Sequence, residues 1–414
     1  MKDMKEWKLK ALTDIWTGDL NQKSGRLIPT GLLGSIRWWF EVLVRGLGGK
    51  ACDPTSDVRC PDQRVKEPDK PGHHCVVCEL FGCTGRARKF RLMILDDRGR
   101  VIQNQIRAGH TFILRFIPLR PIAPEEWCLL DATLRLIADY GAIGGRTVFK
   151  PSEEWGIADL SPGDLDDSGG QIRVKRSRHD LPLQPGDVIL EVQGTPVSSK
   201  AQLRQLLVAK HHGERLKIKI TRSNGTQGEV DAWAGKQYHQ DFGLVTIEQR
   251  PEGVSCSKEV AEAYVSVKNP RWRTNFQDDS FAWASLQNFW CVKGRYLARR
   301  GTNDSSFNKV LGRKQDKSVK ERRGKRVIRW SDLLENKNDE ISKWLAGRQQ
   351  ESKKVFSFKH PEEARRTFGF VKPGLVNFAE MKKRLSQAWA GFDDKEFKIG
   401  EQILDELFGE EEGQ

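Results

Sequence analysis

Residues 27–49 constrain the fold more tightly than any other stretch of the chain. Leu32, Leu33, Ile36, Trp39, Phe40, Leu43, Val44 and Leu47 recur at helical spacing. Thr30, after Pro29, is placed to cap the helix, and Gly48 and Gly49 end it. Arg37, Trp38, Glu41 and Arg45 fall on the other side. A helix with two such faces must bury one of them against a sheet or other helices. At 414 residues the chain exceeds the size at which one core keeps growing, so two or three domains are expected.

Residues 51–71 turn to Asp, Pro, Lys and Cys and read as an irregular excursion. Phe90–Leu95 reads as a strand. A second helix is predicted over residues 124–140, on the stripe Trp127, Leu130, Leu134 and Ile137, and it ends at Gly141, Gly144 and Gly145. Residues 156–236 look like a separate module. Its predicted elements are a turn at Pro185-Gly186-Asp187, the strand Val188–Val192, a helix to Lys210 and an alternating strand through Leu216, Ile218 and Ile220. A hairpin turn follows at Ser223-Asn224-Gly225. Beyond residue 237, helical patterns appear at residues 260–265, 281–298, 330–345 and 378–390, and at the C-terminus around Ile403, Leu404 and Leu407.

The formal charge of +14 favours a polyanionic partner. It concentrates between Lys293 and Arg329, where fourteen Lys/Arg face three acids, Asp304, Asp316 and Glu321. No run approaches the roughly 20 apolar residues of a membrane helix. The N-terminus lacks the apolar stretch of a signal peptide, so a cytoplasmic location without membrane attachment is expected. Gly82 and Gly85 precede Arg86, Arg88, Lys89 and Arg91. The arrangement returns at Gly144, Gly145, Arg146 and Lys150, and more loosely at Gly312, Arg313 and Lys314. Glycines let backbone amides approach phosphates, and clustered cations supply the sequence-independent part of nucleic-acid affinity. An exposed strand after a glycine turn would look similar. Trp38, Phe149, Trp290 and Tyr296 are the aromatics placed to stack on unpaired bases, unless they are core.

Cys52, Cys60, Cys75 and Cys78 form a C-x7-C-x14-C-x2-C set suited to tetrahedral zinc, with His73 and His74 as substitute ligands and Cys83 as a further one. Cys128, Cys256 and Cys291 are isolated and expected buried. In a reducing compartment none of the eight cysteines is expected in a disulfide. No H-E-x-x-H, G-x-S-x-G or Walker pattern is present. His239 is the best candidate for a general acid or base, against the reading that it bonds a turn.

The run Leu27-Ile-Pro-Thr-Gly-Leu-Leu-Gly-Ser-Ile-Arg-Trp-Trp39 resembles the first-helix signature of RAMP proteins, the repeat-associated RNA-binding family of CRISPR systems. With Cys75-Val-Val-Cys-Glu-Leu-Phe-Gly-Cys-Thr-Gly85 and Ala142-Ile-Gly-Gly-Arg-Thr147, it is similar to the first RAMP subunit of the Cmr (type III-B) effector complex. The likeness covers residues 8–155 and continues weakly beyond Tyr238. It implies an α+β chain with two ferredoxin-like, RRM-related domains, over residues 1–155 and 237–414, and a small zinc loop at about residues 50–80. It also implies a non-catalytic subunit near the 3′ end of the guide RNA that helps capture target RNA beside other Cmr subunits. On that likeness the RNA contacts are Arg37, Arg86, Arg88, Lys89, Arg91, Arg146 and Lys150, with Arg313 and Lys314 from the looser glycine segment. They would grip backbone rather than read bases.

Residues 156–236 depart from that family. Leu183-Gln-Pro-Gly-Asp-Val-Ile-Leu-Glu-Val-Gln-Gly-Thr-Pro-Val197 resembles a PDZ domain, with a degenerate carboxylate-binding loop at Gly156-Ile-Ala-Asp-Leu160. The resemblance implies either a docking insert or a site for a protein C-terminus. Two other functions compete with the RNA-binding subunit. One is a RAMP-type endoribonuclease that processes guide precursor through His239; the other is a PDZ-based adaptor between protein and RNA.

Overall fold

The computed structural model describes residues 4–18, 25–53, 56–145, 153–154, 156–177, 181–208, 210, 214–235, 237–238, 241–276, 281–297, 306–311, 314–315, 334–335, 340–347 and 352–409. Two compact units emerge. One comprises residues 1–150, 241–297 and 301–414; the other comprises residues 151–240 and 298–300.

The larger unit holds two four-stranded antiparallel sheets. The first is built from β1 (Lys5–Ala11), α1 (Pro29–Gly46), α2 (Val76–Phe81), β2 (Phe90–Leu95), β3 (Thr111–Pro118), α3 (Pro124–Asp139) and β4 (Val245–Gln249). Its strand order is β4-β1-β3-β2. Alternation sets the buried face: Trp7 and Leu9 of β1 stand opposite Leu114 and Phe112 of β3, while Leu92 and Ile94 of β2 face Phe116 and Leu114. The Trp7 indole donates to Asp131 Oδ1 of α3 at 2.8 Å, and Arg250 clamps both oxygens of that aspartate at 3.0 and 2.6 Å. A buried indole N–H is thereby satisfied.

β4 follows residues 151–240 of the smaller unit in sequence, yet it completes the first sheet through pairs such as Ala11 with Val245 and Leu9 with Ile247. The first ferredoxin-like domain therefore does not end at residue 155; its last strand lies in the segment that sequence reading gave to the C-terminal domain. α4 (Lys258–Val265) comes next, capped by Ser257. The second sheet contains β5 (Phe289–Lys293), β6 (Val355–Phe358), β7 (Arg366–Phe370) and β8 (Phe397–Ile399), with α5 (Phe378–Ala388) before β8 and α6 (Gly400–Phe408) after it. The order β6-β7-β5-β8 repeats that of the first sheet. Both have the ferredoxin-like arrangement.

One hydrophobic core joins the two sheets. Trp39 of α1 meets Phe289 and Phe368 edge-on at 5.9 and 5.7 Å, and its indole donates to Ala142 O at 2.8 Å. Buried Arg366 of β7 donates to Ala138 O at 2.6 Å. The tryptophans of α1 thus serve the seam between sheets.

Several local expectations change. Ile28, not Thr30, is the N-cap of α1, with Pro29 in its first turn, where a missing N–H costs nothing. The described residues 281–297 of the segment 281–298 do not form a helix: a short 3-10 turn at Leu286–Asn288 leads into β5. Phe289, Trp290, Cys291 and Val292 are buried on both faces of that strand, and such a run carries no alternation to separate strand from helix. Within residues 330–345, Leu334–Glu335 is extended and the described helix spans Glu340–Ala346.

The smaller unit has its own core, which includes Ile172, Val174, Ile189, Val192, Leu203, Leu216, Ile218 and Ile220. Gln227–Trp233 pairs with Arg215–Thr221, then follow Val188–Val192, Ile172–Val174 and Leu165–Asp166. The helix Lys200–Val208 contributes Leu203 and Leu207 to that core. Among the described residues no helix is long and apolar enough to cross a membrane.

Candidate metal centre and basic surface

The excursion between α1 and β2 is held at both ends by the polar stripe of α1. Arg37 donates to Gly82 O at 3.0 Å and to Cys78 Sγ at 3.4 Å. Arg45 donates to Ala51 O at 3.4 Å and to Ala284 O at 3.1 Å. Glu41 sits between them, bonded to Arg37 Nε at 3.0 Å. Burial pushes the Glu41 carboxyl up, against the pull of Arg45 and Arg37. Spacing of four residues puts these three side chains on one line of the helix.

That line leads to a cluster of four cysteines. Cys52, Cys60, Cys75 and Cys78 are all buried, and their sulfurs lie within 4.8 Å of one another. Cys52 and Cys78 sulfurs are 3.5 Å apart, and Cys75 and Cys52 sulfurs 3.9 Å. Four thiolates around a tetrahedral ion with metal–sulfur bonds of about 2.3 Å would stand ~3.8 Å apart, so the set fits a metal ion. Cys75 N–H donates to Cys60 Sγ at 3.3 Å, and the Arg37 contact on Cys78 offsets part of the negative charge four thiolates would carry. Hydrogen bonding with Cys52, Cys75 and Cys78 pushes the Cys60 thiol up. Burial also opposes ionisation of Cys75, but hydrogen bonds from the other three sulfurs outweigh it and favour its thiolate.

The neighbouring histidines are not in this set. His73 Nδ1 and His74 Nδ1 are 2.9 Å apart, and His74 Nε2 contacts Glu79 Oε2 at 2.6 Å. Glu79 is the hub of a second cluster. It receives Arg86 at 2.9 Å, Lys89 at 2.6 Å and Arg271 at 3.0 Å, while Lys89 also bonds Glu126 at 2.8 Å. Burial raises the Glu79 carboxyl, but hydrogen bonds from His74 and Lys89 and the charges of Lys89 and Arg86 outweigh it and hold it well below the ordinary range. Sequence reading missed this hub. Its signal was a single acid in the apolar run Val76-Val77-Cys78-Glu79-Leu80-Phe81, just before the cations.

The glycine loop is built as its sequence requires. Gly82 has φ +81°, and a Cβ there would meet Arg88 N at 2.7 Å. Gly144 has φ +87° and would strike Trp16 O at 2.7 Å, while its N–H donates to Ser35 of α1 at 3.0 Å. The basic side chains divide by exposure. Arg37, Arg86 and Lys89 are engaged inside the fold, Arg86 also with Asp69 at 3.0 Å. Arg88 is half-buried and Arg91 exposed. Arg146, Lys150 and Arg313 lie outside the described residues, as do Phe149, His239 and most of the basic stretch 293–329; Lys314 is described only as part of a two-residue strand.

The aromatic candidates mostly pack inward. Trp290 is fully buried and stacks on Phe397 at 5.5 Å. Trp38 contacts Phe370 edge-on at 5.7 Å. Tyr296 lies under Lys359 and Arg365, at 5.2 and 5.1 Å.

Two cysteines depart from expectation. Cys128 of α3 and Cys256, just before α4, form a disulfide across a sequence separation of 128. Residues 151–240 of the smaller unit lie between them in sequence, and closure of the first sheet by β4 brings the chain back to α3. Cys291 is free and buried, as expected.

In the smaller unit, Gly156 N–H donates to Asp159 Oδ2 at 2.8 Å and Ala158 N–H to Ala234 O at 2.9 Å. Ile157–Asp159 forms a 3-10 turn, so these amides of the loop at residues 156–160 are spent internally.

The family model of the RAMP superfamily matches residues 8–149, and that of the PDZ domain matches residues 166–232. Among solved structures, the chain is similar to apo Cmr1 from Pyrococcus furiosus, at 14% identity and a TM-score of 0.22, over 34% of this chain and 45% of that one. It is also similar to an HtrA-type protease solved with a decapeptide, at 17% identity and a TM-score of 0.15, over 39% of this chain and 50% of that one. The chain thus spans half or less of each of these structures. No curated protein matches it. Residues 8–149 are a RAMP-superfamily domain, and residues 166–232 a PDZ domain carried in the same chain.

Proposed function

We propose that the protein is a non-catalytic, RNA-binding subunit of a type III-B (Cmr) CRISPR effector complex. In this reading it lies near the 3′ end of the guide RNA, beside other Cmr subunits, and helps capture target RNA for antiviral defence. The observation that carries the reading is the RAMP match at residues 8–149, on a domain that presents exposed Arg91 at the start of β2 beside half-buried Arg88 of the glycine loop. Arg146, Lys150, Arg313 and Lys314 extend the proposed contact set. Arg37, Arg86 and Lys89 act chiefly by holding the loop in shape.

The metal we propose for the cysteine tetrad is zinc, in a structural role, because four thiolates leave no open position for substrate. The PDZ domain serves as a docking insert in this account, since the Gly156 and Ala158 amides of its carboxylate loop already have partners. The proposed location is cytoplasmic. A disulfide is uncommon there, so alkylation of protein taken directly from cells would show whether Cys128 and Cys256 are joined in place.

Binding of labelled single-stranded RNA across a salt series tests the function. Several phosphate contacts predict an affinity loss of tenfold or more between 50 and 200 mM salt, on the order set by counterion release. A combined Arg88→Ala and Arg91→Ala variant should bind more weakly, with a shallower salt slope. Folded protein that binds no RNA, or binds it without salt dependence, contradicts the reading. Cleavage of precursor RNA that His239→Ala abolishes would favour the endoribonuclease instead.

A further inference from the structure

A cavity of about 610 Å³ opens beside the metal-binding excursion, within the range of roughly 300–1,000 Å³ typical of ligand pockets. Its walls come from three places that are distant in sequence. Arg59 and Arg64 belong to the excursion, Thr84 to the glycine loop, and Arg273, Asn275 and Phe276 to the segment after α4.

Arg273 is the informative residue. It is nine-tenths buried, and its Nε has no hydrogen-bond partner. The nearest carboxylate oxygen, Asp62 Oδ2, stands 3.7 Å away. Its Nη1 donates to Arg59 O at 3.0 Å, and its guanidinium lies 5.1 Å from the centre of the half-buried Phe276 ring. That longer ion pair leaves the buried Nε–H without a hydrogen bond, so it can still take an acceptor oxygen. Asp57 and Asp62 also line the cavity, but both oxygens of Asp62 are taken by Arg64, at 3.0 and 2.7 Å.

We propose that this cavity seats one nucleotide of single-stranded RNA, with its base against Phe276 and its phosphate on Arg273 and Arg64. The proposal rests on the RNA-binding reading and adds a defined subsite to it. An aromatic face beside a guanidinium suits a base next to its own phosphate, and the Asn275 amide can meet a base edge. An acidic peptide would leave the Phe276 face without a matching surface. Because Cys60 and Pro61 form part of the wall, the metal cluster fixes the shape of the site.

The test uses the full chain with its metal, a labelled five-nucleotide RNA and the same salt series. Phe276→Ala should weaken binding about five- to a hundredfold, the loss of one base stack. Arg64→Ala removes an exposed side chain whose main contact is Asp62, and should lower the salt slope by about one. Unchanged metal content shows that each variant is folded. RNA carrying 4-thiouridine should crosslink to the peptide that contains Phe276. If both variants bind like the unaltered protein while the Arg88/Arg91 variant is weakened, the subsite is refuted and the broader reading stands. If the unaltered protein binds no RNA, both fail.

Discussion

Residues 51–81 and residues 151–240 both interrupt the first ferredoxin-like domain, one between α1 and β2, the other between α3 and β4. The short excursion places its four cysteine sulfurs around a space that fits a metal ion, and ties Glu79 to four cationic or histidine side chains. The longer insertion packs Ile189, Leu216, Ile218 and Ile220 into a core of its own. Length decides between these solutions. About thirty residues cannot bury enough apolar surface to offset chain entropy, whereas a PDZ domain can. The excursion is held by ionic contacts beside a cysteine set that fits a metal ion, and the insertion by hydrophobic burial.

The largest expected effect follows metal removal. Structural zinc contributes on the order of 10 kcal/mol to sites of this kind, so chelation should release the ion and expose residues 56–74 to protease. The insertion should remain resistant. Cys75→Ser should have the same outcome, measured by limited proteolysis and metal analysis. Equal protection with and without metal would break the contrast.

Loss of the Glu79 hub comes next. Glu79→Ala leaves Arg86 and Lys89 buried without this partner, and should cost about 3–5 kcal/mol in denaturant unfolding of the larger unit. The direction with pH follows from the depressed carboxyl. Its stabilisation is complete above the unfolded pKa of about 4.3 and is lost as pH falls through the lower folded value. The unaltered protein should therefore lose more stability on acidification than Glu79→Gln, and the insertion's own transition should not follow that difference.

The disulfide gives the smaller effect. Cys256→Ser should cost about 2–4 kcal/mol in the larger unit and leave the insertion's unfolding unchanged. A change confined to the insertion would reverse the assignment.

Local chemistry was legible in the sequence, and long-range closure was not. The cysteine tetrad could be recognised because its ligands lie within 27 residues, two of them in a Cys-x2-Cys knuckle. β2 stood out through its apolar run and the strand Val188–Val192 through its β-branched residues. β1 was hidden because Lys5, Glu6, Lys8 and Lys10 gave a charged segment, although Trp7, Leu9 and Ala11 alternate with Glu6, Lys8 and Lys10. Arg271 reaches Glu79 across 192 residues, and Cys256 reaches Cys128 only after β4 returns to the sheet. Nothing in local spacing encodes such pairs. The cations of the glycine loop were recognised as a group, but the separation of Arg86 and Lys89 from Arg88 and Arg91 needed the position of Glu79.

The most direct test of the account is RNA binding by three preparations: the intact chain, a chain lacking residues 157–235, and the intact chain stripped of metal. The account predicts that the deletion retains salt-dependent affinity, because the insertion folds on its own core, and that metal removal lowers affinity by disordering the excursion. Loss of RNA binding on deletion, with full binding after chelation, would contradict it and make the PDZ domain the part that brings RNA to the protein.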